Sequence, residues 1–193
     1  PGQQICIQTA KGLIYGVVEA HRQLFSKNDL GTRDFLIDIG AKDKKDAEAI
    51  VSLGDPIVPD THIREMANGR FTARALDDRI GVYIIMEALK YAKKLGCKAG
   101  IYAASTVGEE TTKNGAYWCS ARICPDLAVV VDVTYTSDCL GKDPAEAGTV
   151  LLGKGPVLCN SPIVSKRLND QMQKCGEKNG IPLQREAASR LSY

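Results

Sequence analysis

The apolar positions change rhythm once along the chain. Up to about residue 72 they fall in short runs, "QICIQTA", "GLIYGVVEA" and "DFLIDIGA", rich in β-branched and aromatic residues and separated by Gly, Asn and Asp. Such runs predict strands. One helix interrupts them: in "KKDAEAIVSLG", Ala47, Ile50 and Val51 recur at helical spacing, and Gly54 stands where a helix would stop. "ANGRFTARAL" then places Asn68 and Gly69, a hairpin signal, ahead of a further strand. Residues 1–72 therefore predict a small β module.

From residue 73 onward helix alternates with strand. "DDRIGVYIIMEALKYAKKLG" carries Ile80, Ile84, Ile85, Ala88, Leu89, Ala92 and Leu95 on one wide apolar face, with acids at its start, lysines in its last turn and Gly96 after it, which predicts a helix. "AGIYAASTV" and "LAVVVDVT" are the short apolar runs expected of strands buried on both faces. The segment between them, residues 113–123, suits a crossover helix, so the unit predicted is βαβ and parallel. "PIVSKRLNDQMQKCGEKNG" predicts a surface helix, and "IPLQREA" begins another strand.

In an open parallel sheet, functional groups gather at the carboxyl ends of strands. The acidic residues of this half fall there. Glu109 and Glu110 follow the run ending near Val107, straight after Gly108, and Asp77 and Asp78 lie where "FTARAL" meets the long helix. Asp132 sits near the end of "LAVVVDVT", where a charge within an apolar run is costly unless paired or bound to a cation. Successive side chains on an extended backbone diverge. Glu109 and Glu110 are therefore expected to divide their work, one binding something fixed and the other facing the space where a substrate lies. Carboxylates converging from three elements repel one another, and one or two divalent cations are the usual remedy. Asp78 has a simpler alternative in capping the helix.

Composition narrows the class. With 193 residues and 44% hydrophobic content, the chain can build one substantial core or two small ones. Twenty-five basic residues against 23 acidic give a charge of +2, and no Lys/Arg cluster is interleaved with aromatics, which gives nucleic-acid and membrane-surface binding no support. No apolar stretch approaches the roughly 20 residues of a membrane span. The seven cysteines are an odd number without CxxC spacing and read as reduced, buried thiols in a cytoplasmic setting.

"ARALDDRIG", "STVGEETTKNGA" and "LAVVVDVTYTSD", in this order and spacing, resemble the motifs of the dinuclear-metal glutamyl and deblocking aminopeptidases that assemble as tetrahedral dodecamers, some of them labelled endoglucanases. The similarity includes "FLIDIGA", "LGKGPV" and the N-terminal module, and so spans nearly the whole chain. It implies a zinc-exopeptidase-like α/β sheet with flanking helices, partial here, over residues 73–193, and a small β-barrel-like module serving dimerisation and assembly over residues 1–72. It further implies that Asp77 bridges two divalent metal ions, that Glu110 completes the carboxylates of one and Asp132 those of the other, that Glu109 is the general base, and that a cis peptide follows Asp77. Zinc is the expected metal; carboxylates accept cobalt and manganese as well. The activity implied is removal of N-terminal residues from peptides with free amino ends, by a cytoplasmic homo-oligomer. Glu109 would take a proton from the attacking water and return it to the leaving amine.

The same resemblance implies one histidine on each metal, from a segment before the β module and from another near the C-terminus. His21 and His62 lie within the β module and match neither position, so they read as surface or loop residues. On that reading the chain is the middle of a longer enzyme, and little peptidase activity is expected of it alone. A non-catalytic assembly chain of the same family is the alternative that these histidines favour. A glycosidase is a further alternative suggested by paired acids, but its carboxylates must flank a bond from about 5–10 Å apart, which adjacent Glu109 and Glu110 cannot readily do.

Overall fold

The computed structural model describes residues 2–19, 25–139 and 143–188 and divides the chain into two compact units, Pro1–Leu76 and Asp77–Tyr193. In the first unit, strands β1 (Gln4–Thr9), β2 (Gly12–Val18), β3 (Ile37–Asp38) and β4 (Ile57–Pro59) form an antiparallel sheet in the order β3-β2-β1-β4. β1 has a strand on each side, and its consecutive residues Ile5, Cys6 and Ile7 are all buried, so both faces of this strand are covered. Gly16 on β2 admits β3 closely: a Cβ there would stand 2.7 Å from the Asp38 carbonyl oxygen.

The barrel-like closure expected of this module is not found; among the described residues the sheet is open. Its edge strands, β3 and β4, are only two and three residues long, and strands that short cannot supply the staggered ladder that closes a barrel. Helix α1 (Lys44–Ile50) forms where its periodicity places it, capped by the Asp43 carboxylate accepting from Asp46 N–H at 2.9 Å. It ends before Gly54, which instead takes φ +94° in the turn leading to β4. The hairpin signal holds: β5 (Arg64–Glu65) and β6 (Phe71–Thr72) pair antiparallel across Asn68 and Gly69, whose φ values are 62° and 67°. The strand expected to continue toward Leu76 stops at Thr72, and Ala75 adopts φ 54°, a left-handed conformation that costs a residue with a Cβ about 1 kcal/mol. His21 lies outside the described residues, and His62 is exposed.

The second unit contains α2 (Leu76–Lys94), α3 (Asn114–Ile123), α4 (Pro144–Ala147), β7 (Val157–Asn160), α5 (Lys166–Lys178) and β8 (Gln184–Ala187). β7 and β8 pair in parallel with α5 as the crossover. Buried Asn169 fastens α5 to β7 by donating from Nδ2 to the Cys159 carbonyl at 2.7 Å and to Asn160 Oδ1 at 3.2 Å. The Gln184 side chain stitches β8 to the preceding loop: Leu151 N–H donates to its Oε1 at 2.8 Å, and its Nε2 donates to the carbonyls of Leu151 at 3.0 Å and Gly155 at 2.9 Å.

Two expected strands do not form. Residues 99–107 and 127–134 join no ladder, and Val107, Leu127 and Val130 are 79%, 71% and 88% exposed. A strand buries two apolar faces only when paired and covered, and among the described residues neither run has such partners. The expectation of buried thiols also fails for most positions: all seven cysteines are free, but only Cys6 is buried. No described helix is long and apolar enough to cross a membrane.

Candidate active site

Asp77 and Asp78 stand at the mouth of α2 with non-helical backbone, and the peptide bond between them is cis, as the family resemblance implies. The Asp78 carboxylate accepts the Gly81 N–H at 2.9 Å, so it does cap the helix. Gly81 leaves room for this: a Cβ at that position would lie 2.6 Å from Asp78 Oδ1. Desolvation raises the pKa of Asp78; the Gly81 hydrogen bond opposes it, while the charges of Asp132, Asp77 and Glu109 add to the rise. Four carboxylates from three segments of the second unit thus share one electrostatic field.

Glu109 and Glu110 lie on a turn fixed by backbone bonds. The Gly108 carbonyl accepts from the N–H groups of Thr111, Thr112 and Lys113 at 3.3, 3.0 and 2.7 Å, and Gly115 N–H donates to the Val107 carbonyl at 3.1 Å. Gly108 has φ 74°, which explains why a glycine precedes the pair. The surroundings of the two carboxylates differ. Glu109 forms an ion pair with Lys113 at 3.3 Å and lies within the field at Asp78. Glu110 is exposed and makes no hydrogen bond or ion pair with a described residue. Lys113 was not singled out by sequence reasoning, although a lysine four positions after a glutamate was the available signal.

Asp132 is exposed, and its Oδ1 accepts the N–H of Val133 at 2.7 Å. Its segment is anchored just beyond it: the Thr134 hydroxyl donates to Glu186 Oε2 at 2.7 Å, and Ser137 exchanges bonds with Val150 through N–H to carbonyl at 2.7 Å and N–H to Oγ at 2.9 Å. β8 therefore helps to hold Asp132 although it carries no proposed site residue. Cys139, near this segment, is exposed.

Among the described residues no group of three or more His, Cys, Asp and Glu side chains is placed to hold a metal ion. The donors that do share a field are all carboxylates, hard oxygen ligands whose mutual repulsion a divalent cation would relieve. Their chemistry fits such an ion.

The chain matches the M42 glutamyl aminopeptidase family over residues 1–192. It is 33% identical to the lysyl aminopeptidase of Pyrococcus furiosus, over 97% of this chain and 55% of that protein. Its fold is similar to that of a TET aminopeptidase from a marine sediment Thaumarchaeota archaeon, with TM-score 0.84 and 32% identity over 99% of this chain and 56% of that one. It is also similar to the Pyrococcus horikoshii TET1 peptidase, which can assemble into a tetrahedron or a large octahedral shell, with TM-score 0.75 and 31% identity over 96% of this chain and 57% of that one. The chain spans about half the length of the relatives it matches.

Proposed function

This chain belongs to the M42 glutamyl aminopeptidase family, and we propose that it carries the carboxylate part of a metal-dependent aminopeptidase centre acting on peptides with free amino ends. What supports this reading is the family match over residues 1–192, beside the raised pKa of Asp78, due first to desolvation and then, against the opposing Gly81 bond, to the charges of Asp132, Asp77 and Glu109. In the proposal, Asp77, Glu110 and Asp132 would hold divalent metal, Asp77 serving both ions of a pair, and zinc is the first candidate. Bound there, divalent cations would acidify a water and polarise the scissile carbonyl. The rest falls to the chain's own groups. Glu109 accepts the water's proton as the water attacks and passes it to the leaving amine. Its pairing with Lys113 is partly exposed and worth less than about 1 kcal/mol, so it steadies the carboxylate without locking it away from substrate. Asp78 positions Asp77 by anchoring the start of α2.

Residues 1–72 are proposed to serve dimerisation and assembly of a cytoplasmic homo-oligomer, as the assembly of the Pyrococcus horikoshii TET1 peptidase suggests. A non-catalytic role for the chain alone is the second reading, favoured by the lack of a three-donor group among the described residues. Hydrolysis of aminoacyl-anilides with added zinc or cobalt separates the two, using this polypeptide beside a version extended to the length of its relatives. The catalytic reading expects activity in the longer protein, and expects Glu109→Gln to lower turnover there by about 10²–10⁴-fold with metal content unchanged. Full activity in that variant would remove Glu109 from the mechanism.

A further inference from the structure

We propose that the first unit holds a binding site for a peptide-borne carboxylate, in a pocket of about 500 Å³ bordered by Arg64 and Arg74. The β5–β6 register sets Arg64 opposite Thr72. His62 precedes β5 and Arg74 lies in the turn after β6, and all four residues line the pocket. Both arginines border the same pocket, where their long side chains can address one bound anion.

The electrostatics favour an acidic guest. Neither Arg64 nor Arg74 makes a hydrogen bond or ion pair with a described residue, so both planar forks of donors are uncommitted. The one carboxylate lining the pocket, Asp60, lies 3.8 Å from His62 Nε2, and its backbone N–H is taken by the Gln4 carbonyl at 3.0 Å. Two permanent positive charges thus face a single negative one. The open pocket has room for more than a bare oxyanion. Gln4 and Thr72 offer amide and hydroxyl groups to a peptide backbone, and Pro59 and Ala73 offer apolar wall to a short carbon stem. A glutamate or aspartate side chain within a peptide meets each of these demands. The site consists of residues of the first unit alone and does not depend on the peptidase reading.

The test is calorimetric titration of the 193-residue protein with three probes: an N-acetylated, C-amidated tripeptide centred on glutamate, the same peptide centred on glutamine, and inorganic phosphate. The blocked amino end keeps the first probe from being an aminopeptidase substrate. The proposal expects saturable binding of the glutamate peptide, weaker binding of the other two, and an affinity lowered by about tenfold or more in Arg64→Gln/Arg74→Gln. Asp60→Asn should tighten the same complex, which keeps the proposal testable if the double variant does not fold. Absence of saturable binding by the glutamate peptide would overturn it. So would equal binding of the glutamine peptide, phosphate as the preferred probe, or an affinity that neither the arginine nor the Asp60 substitutions change.

Discussion

Asn169 is the polar residue whose removal should be felt most in the second unit. It is 6% exposed, and its amide donates to the Cys159 carbonyl at 2.7 Å and Asn160 Oδ1 at 3.2 Å. Each such bond contributes about 1 kcal/mol net, and a partly buried acceptor left without its donor adds about 1–2 kcal/mol. Asn169→Ala should therefore cost about 3–4 kcal/mol, lowering the melting temperature by at least about 8 °C for a unit near 100 residues. Asn169→Leu separates hydrogen bonding from packing, since it restores the volume but neither bond. Urea unfolding followed by circular dichroism measures both variants. The leucine variant should recover less than half of the loss. If it is as stable as the wild-type chain while the alanine variant is not, volume rather than the two bonds fastens α5 to β7.

Three further expectations concern the carboxylates. In the family-length protein, Glu110→Gln should lower bound metal measured by elemental analysis, where Glu109→Gln should not; equal metal content in both would end the proposed division between them. Gly81→Ala should leave stability within about 1 kcal/mol, because the helix-propensity gain opposes the lost cap, yet it should swing the Asp78 carboxylate out of its seat, which a carboxyl carbon chemical shift unchanged from wild type would contradict. Asp170 is held below its ordinary pKa of 3.8 by its hydrogen bond from Lys166 and by the charges of Lys166 and Arg185, so the stability it lends is present above that value and is lost as pH falls through its lower, folded pKa. Asp170→Asn should thus flatten the dependence of melting temperature on pH below about 4 and leave neutral pH nearly unaffected, and an unaltered acid limb would refute the pairing. Deleting residues 3–72 from the family-length protein should change its oligomeric mass by light scattering more than its metal content; an unchanged oligomer would contradict an assembly role for that module.

The elements legible in the sequence are those decided by neighbours a few residues away. Asn68 and Gly69 announce a hairpin because both adopt positive φ, which few other pairs tolerate. α2 shows its apolar spacing, and Gly108 marks the turn just before Glu109 and Glu110. The strands at 99–107 and 127–134 were misjudged for the opposite reason. Their apolar character states what they need, not whether a partner lies beside them, and this chain spans about half the length of its relatives. Open or closed curvature of the first sheet was equally out of reach, because it turns on how short β3 and β4 are rather than on which residues they contain. At the candidate site, Asp77, Glu109 and Asp132 were singled out from family motifs and from strand ends, and the strands expected before Glu109 and around Asp132 do not form. The Glu186–Thr134 bond that braces Asp132 is made across 52 residues of sequence, a separation no local pattern reports.

The Gln184 side chain acts as a surrogate peptide group, giving and receiving with Leu151 as a neighbouring strand would. That makes it a point of chemical ageing. Hydrolytic loss of the amide nitrogen yields glutamate, which can still accept the Leu151 N–H but can no longer donate to the carbonyls of Leu151 and Gly155. One negative charge would then face two carbonyl oxygens at the start of β8. Old preparations of this protein would accordingly accumulate molecules one charge more acidic, in which the loop at 151–155 has come away from the strand beside it while the sequence reads almost unchanged.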